Sequence, residues 1–343
     1  MFALYHSMLS NIFPNVEKTT KIPISRIVKK IDVAFVDLIQ GEGFGSEVFL
    51  LPGIPRIRPV LILLSAHATQ KKQVSEQDLE HLILTIELLW AAVLVHDLTL
   101  GKPGGRRRRV ARRLIGGAVG WIGGNSLNIR SMELAQQVSS SFILSELIQV
   151  MRDVSESRKD IRGNLTCFLS VQEVSEHFEQ HMGAIFAFAC RAGCHIAGGN
   201  DRDVTLLGRY GLHLGIVWQL QEELQYINHD LEQFIEDAMA RNRPLLSLAL
   251  LLEYDSSFRV YLQEYIQDFH SYDDEDESSL LQPSRRVFFE QLKQGLRKHS
   301  ILLLMRTRIA QSVFRAQKAL RELPQSTERQ SLEDLLKSMV EFH

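Results

Sequence analysis

The sequence predicts an all-α protein whose helices surround a central cavity. Apolar residues recur with a period near 3.6 through most of the chain, and strand-like alternation is scarce. The 343 residues, 45% of them hydrophobic, are enough for a sizeable core in one large domain.

Residues 25–40 form an amphipathic helical stretch through Ile27, Val28, Ile31, Ala34, Phe35 and Leu38. A turn at Pro52–Pro55 precedes a helix over Arg58–Thr69. Ser75-Glu-Gln-Asp78 carries a helix-opening pattern, a hydroxyl followed three residues later by an acid, and that helix runs to about His96. Gly101–Gly105 is a loop, and Gly116–Leu134 is a glycine-rich helix. Further helices are expected at about 142–155, 171–198, 202–226, 230–240, 244–253, 257–270, 284–299, 302–323 and 328–342. The acidic run Asp273–Glu277 lacks a helical period, so about 271–280 reads as a solvated loop inside a single domain covering 1–343.

A net charge of −2 gives no basic field for nucleic acid. Positive charge is local, in the run Arg106–Arg113. Three cysteines and an N-terminus without a cationic leader point to a reducing, cytoplasmic setting. No uncharged apolar stretch approaches the ~20 residues a transmembrane helix needs.

Two segments carry the chemistry. One runs from Glu87 to His96-Asp97-Leu-Thr-Leu-Gly101, the other from Leu207 through Tyr210-Gly211 and Gly215 to Trp218-Gln219-Leu-Gln-Glu222-Glu223-Leu-Gln-Tyr226. With Gly53-Ile-Pro-Arg56-Ile-Arg58-Pro59, Glu179–Gly193 and Ala316–Ser326, they resemble the trans-isoprenyl (polyprenyl) diphosphate synthases in order and spacing, over nearly the whole chain. The resemblance implies an isoprenoid-synthase-type bundle. It also implies an aspartate-rich DDxxD motif on each of two facing helices, gripping Mg²⁺ against an allylic prenyl diphosphate. Magnesium wants hard oxygen ligands, and carboxylates one helical turn apart share a face.

In this chain the first motif aligns as Asp97, Leu98, Thr99, Leu100, Gly101, and the second as Glu222, Glu223, Leu224, Gln225, Tyr226. One and two carboxylates remain. A weak Mg²⁺ site on Asp97, Glu222 and Glu223 is the expectation. The diphosphate grip implied by the resemblance would fall to Arg56, Arg58, Arg106, Arg107, His181 and Gln219. His181 and Met182 stand where the family has Lys-Thr. Pro55 and Trp90 stand where it binds isopentenyl diphosphate, and an indole there offers one donor and no charge.

Other motifs have plainer readings. Gly116–Gly124 imitates a dinucleotide loop, but no strand precedes it, so close helix packing through small residues is the reading. His177 and His181 have zinc-chelating spacing, yet a cavity-facing histidine at the lysine position accounts for His181 without metal. Cys190 and Cys194 resemble the CxxxC contact motif of non-catalytic small subunits in some plant synthases; two buried thiols on one helix face are also ordinary packing.

The whole pattern implies a protein of isoprenoid biosynthesis. A catalytically impaired or regulatory subunit, a homodimer or a heterodimer with an intact prenyl synthase, is the leading reading. A divergent prenyltransferase, a terpene-cyclase-like enzyme and a non-catalytic prenyl carrier are the alternatives.

Overall fold

The computed structural model describes residues 57–100, 117–158, 168–240, 243–271 and 283–341, together with the helical Lys29 and Val33. The rest of the helix expected at 25–40, the Gly101–Gly105 loop, the arginine run and the acidic run lie outside these residues. Among the described residues there is no strand. The helices are α1 (Ile57–Ala68), α2 (Glu76–Leu100), α3 (Gly117–Gln137), α4 (Ser141–Glu156), α5 (Val171–Phe178), a π-turn (Glu179–Gly183), α6 (Ala184–Ile196), α7 (Asp201–His229), α8 (Leu231–Ala240), α9 (Leu246–Tyr254), α10 (Phe258–Ser271), α11 (Pro283–Lys298), α12 (Ile301–Arg321) and α13 (Thr327–Glu341).

Burial follows composition. α4 buries Ile143, Leu147, Val150 and Val154, one stripe of a surface helix. α1 is apolar on all sides and is buried from Ile57 to Ala66. α7 lies at the centre, between α6 on one side and α12 on the other, while α2 pairs with α3. The buried apolar side chains form one cluster from Ile57 to Met339. The Glu76–Asp97 part of α2 is long and apolar enough to cross a membrane, with a mean hydropathy of 1.6, but 67% of it is buried in the bundle, as suits a core helix.

The caps explain several boundaries. The Ser75 hydroxyl accepts from the Asp78 amide at 3.0 Å, as the sequence suggests. The Asp78 carboxylate reaches across to the Ser139 amide at 3.0 Å, tying the start of α2 to the end of α3. Ser170 and Glu173 form a complete capping box at α5. Gly124 bears out close packing in the glycine-rich helix: a Cβ there would lie 2.2 Å from the His96 ring.

The uninterrupted helix expected at 171–198 is broken by the π-turn. α7 passes this turn at backbone distance. A Cβ on Gly215 would lie 2.5 Å from the Met182 carbonyl oxygen, and one on Gly211 2.4 Å from that of Phe186. Single π-turns inside helices recur at functional sites.

Candidate functional site

Arg58 and Glu87 form a pair in the interior. The Arg58 Nε donates to Glu87 Oε1 at 2.8 Å and its Nη2 to Oε2 at 3.3 Å, with both side chains almost fully buried. The guanidinium also lies 4.8 Å from the Trp90 ring centroid. Cation–π and bidentate contacts both suit this planar group. Arg58, a candidate for the diphosphate grip, is paired here with Glu87 and lies over Trp90. Arg56, Arg106 and Arg107, expected in the same role, lie outside the described residues.

Asp97 sits in the last turns of α2. It accepts a 2.6 Å hydrogen bond from Nη2 of Arg158, just past the end of α4. The same nitrogen reaches the Val93 carbonyl at 3.1 Å. Glu222, on α7, accepts 2.7 Å from Nη2 of Arg243. Glu223 points elsewhere and is buried. It accepts from the Leu246 and Ser247 amides at 3.1 and 2.8 Å. These are the first amides of α9, whose N-cap residue Leu245 offers no side-chain acceptor. Burial raises the Glu223 carboxyl above its usual range, and its bonds to Ser247, the Arg243 charge and the Leu246 amide pull the other way.

Between these pairs lie two histidines. His177 Nδ1 is 3.0 Å from the Ser157 carbonyl, so that nitrogen carries the proton in the neutral ring. The π-turn stacks His177 on His181, with centroids 5.4 Å apart and planes 12° from parallel. Burial pushes His177 down to about 4; the Ser157 carbonyl and Asp97 oppose this, and Arg243 and Arg158 add to it. His181 is held well below its ordinary value by burial, then by His177, Arg158 and Arg243. The histidine pair thus lies in the field of both arginines. His181 Nδ1 is buried without a hydrogen-bond partner, as is Gln219 Oε1 on α7.

α7 packs against the π-turn, and Asp97 of α2 acts on His177, which precedes that turn. The polyprenyl synthetase family model matches residues 47–261, more than half of the chain. The chain belongs to the polyprenyl synthetase family.

It is 23% identical over 176 residues to a prenyl transferase of Porphyra purpurea, covering 50% of this chain and 54% of that relative. It is 25% identical over 239 residues to the octaprenyl diphosphate synthase of Escherichia coli (strain K12), covering 63% and 71%. The chain therefore spans about half the length of the first of these relatives. In fold it is similar to a polyprenyl synthase from Caulobacter crescentus CB15 complexed with calcium and isoprenyl diphosphate. That likeness has a TM-score of 0.74 at 20% identity, over 95% of this chain and 97% of that one.

The carboxylates expected to hold Mg²⁺ have other partners here: Asp97 and Glu222 each face a guanidinium, and Glu223 caps a helix. Among the described residues no group of three or more His, Cys, Asp and Glu is placed to hold a metal ion, His177 and His181 included. Cys190 and Cys194 are buried inside the chain, not at a contact surface. Burial raises their thiols to about 12 and about 11, so neither is a reactive thiolate at neutral pH.

Sequence reasoning missed the three partners that define the site. Arg158 lies 61 positions from Asp97 and Arg243 lies 21 from Glu222, beyond any helical spacing rule. Glu87 opens the first segment, but nothing in its neighbours marks it as the partner of Arg58.

Proposed function

We propose that this chain serves isoprenoid biosynthesis as a catalytically impaired subunit, paired with itself or with an intact prenyl synthase. One observation carries this reading: the surviving motif carboxylates Asp97 and Glu222 are each neutralised by an arginine of the same chain. A guanidinium brings charge but no coordination positions, so it does not assemble a leaving-group clamp as metal ions do. Removing a single preorganised charge contact commonly costs ~10²–10³ in rate, and several are missing here.

The surface supports pairing. On α3, Trp121, Ile122, Ile129 and Met132 fall on one face and are 55%, 63%, 58% and 36% exposed. Apolar patches of this kind mark interaction sites. A second reading rests on the unpartnered His181 Nδ1, which in the tautomer that carries its proton there would donate to a bound prenyl diphosphate in a one-substrate reaction or a carrier.

The deciding experiment incubates the purified chain with geranyl, farnesyl and geranylgeranyl diphosphates, with and without isopentenyl diphosphate and Mg²⁺. No family-typical elongation is expected from the chain alone. Light scattering should show it associating with itself or with an intact synthase from the same source. Efficient Mg²⁺-dependent elongation would overturn the proposal. So would a monomer that ignores the synthase.

A further inference from the structure

The stretch Gln291–Arg321 holds eight Lys and Arg and no Asp or Glu, in a chain whose net charge is −2. Lys293 and Lys298, before α12, are paired with Glu232 and Asp255. The five cations on α12 itself are Arg306, Arg308, Arg315, Lys318 and Arg321. All five are exposed, and none has an ion-pair partner among the described residues. Glu322, which ends the run, is met by Arg202 at 3.6 Å. The outer face of α12 is therefore a strip of unneutralised positive charge.

The same face carries an apolar ridge. Leu303 is 63% and Phe314 60% exposed, and Ala310 between them is exposed too. At about 100° per residue these three positions fall within about 20° of one line along the helix, and Leu303 and Phe314 lie roughly 16 Å apart on it. By the same geometry Arg306 falls about 60° to one side of the ridge and Lys318 about 60° to the other, with Arg308 and Arg315 further round and Arg321 at the ridge's end. The opposite face is fixed in the bundle by Ile301, Met305, Ile309, Ala316 and Leu320. α12 thus presents the ridge and its flanking cations without unfolding.

We propose that the outer face of α12 docks the protein on an anionic membrane surface, with α12 lying in the plane of the interface. Leu303 and Phe314 enter the boundary between headgroups and acyl chains, and the flanking cations meet the lipid phosphates and carboxylates above it. Long cationic side chains suit this place, since their stems cover apolar surface while their charges stay in water. The ridge selects the occupant. A soluble polyanion such as nucleic acid would answer the cations and leave Leu303 and Phe314 in water. An anionic lipid surface answers both along one line. The face is separate from Asp97 and Glu222, and it lies across α7 from α6.

The test is cosedimentation of the full chain with vesicles of phosphatidylcholine, with and without phosphatidylserine. Binding is expected only where phosphatidylserine is present, and it should weaken as salt rises. Arg306→Gln and Lys318→Gln should each lower the partition coefficient about 5-fold. Leu303→Ser together with Phe314→Ser should lower it about 10-fold with no change of charge, because it removes the inserted groups. Arg152→Gln, an exposed cation on α4, should leave it unchanged. Circular dichroism of each variant confirms the fold. No binding, equal binding to neutral vesicles, or a loss with Arg152→Gln as large as with Arg306→Gln would each overturn the proposal. So would vesicle binding that the two serine changes leave intact and that heparin abolishes, which is the behaviour of a face made for a soluble polyanion.

Discussion

Arg243 donates a 2.7 Å hydrogen bond to Glu222, and the two side chains are only 19% and 15% exposed. Arg243 also acts on the helix-capping Glu223 and on both stacked histidines. Breaking a pair this buried leaves one charge uncompensated, whereas replacing both partners with apolar groups does not. Arg243→Met should therefore cost ~3 kcal/mol or more. The double change with Glu222→Leu should recover most of that. Urea unfolding midpoints measure both. A single variant as stable as the starting protein would show that the pair does not support the fold.

Gly215→Ala tests the close approach of α7 to the π-turn. The added methyl would meet the Met182 carbonyl oxygen at 2.5 Å and the Met182 carbonyl carbon at 2.7 Å, and backbone cannot rotate away. Helix propensity alone favours alanine by about 1 kcal/mol, so a neutral or stabilised variant is the outcome if the two segments part easily. The expected outcome is destabilisation by about 1–3 kcal/mol. Loss of the 5.4 Å histidine stack should accompany it, read from the His177 and His181 ring resonances.

The helices were legible in the sequence because their signals are local. The Ser75 cap and the apolar run of α1 each depend on neighbours a few residues away. The π-turn was not legible, since it reflects the fit of Gly211 and Gly215 against the opposing backbone. The candidate site was legible by half. Asp97 and Glu222 were picked out by their motifs, but what their side chains do is set by Arg158 and Arg243, from other parts of the chain. Glu223 shows the limit best. It sits one position from Glu222, yet the 3.6 period turns it about 100° away, onto the start of α9.

That cap can be tested by grading the substitution. Glu223→Ala removes the acceptor for both the Leu246 and Ser247 amides inside the core and should cost about 1–3 kcal/mol. Glu223→Gln keeps one carbonyl oxygen and should cost clearly less. Burial already disfavours the charged carboxylate here, so losing its charge is a smaller penalty than losing its shape. Equal stability of the two variants, in thermal or chemical unfolding, would mean that the α9 amides find other acceptors.

His177 makes acid stability the last expectation. Its proton affinity in the fold is about 4 against an ordinary 6.5, because burial disfavours the imidazolium and Arg243 and Arg158 repel it. Between those two values the unfolded chain binds a proton that the folded chain refuses. Stability is therefore fully present above about 6.5, falls as the pH drops towards about 4, and loses no more to this group below that. For one histidine the whole loss is on the order of 3 kcal/mol. His213 and His181 are shifted in the same direction and steepen the fall. His177→Asn keeps an N–H for the Ser157 carbonyl but has nothing to titrate. Its unfolding free energy should fall less steeply than that of the starting protein between pH 6.5 and about 4, and run parallel to it above 6.5. Urea denaturation across that window measures the difference. Parallel curves throughout would show that His177 takes up its proton without resistance from its burial or from the two arginines.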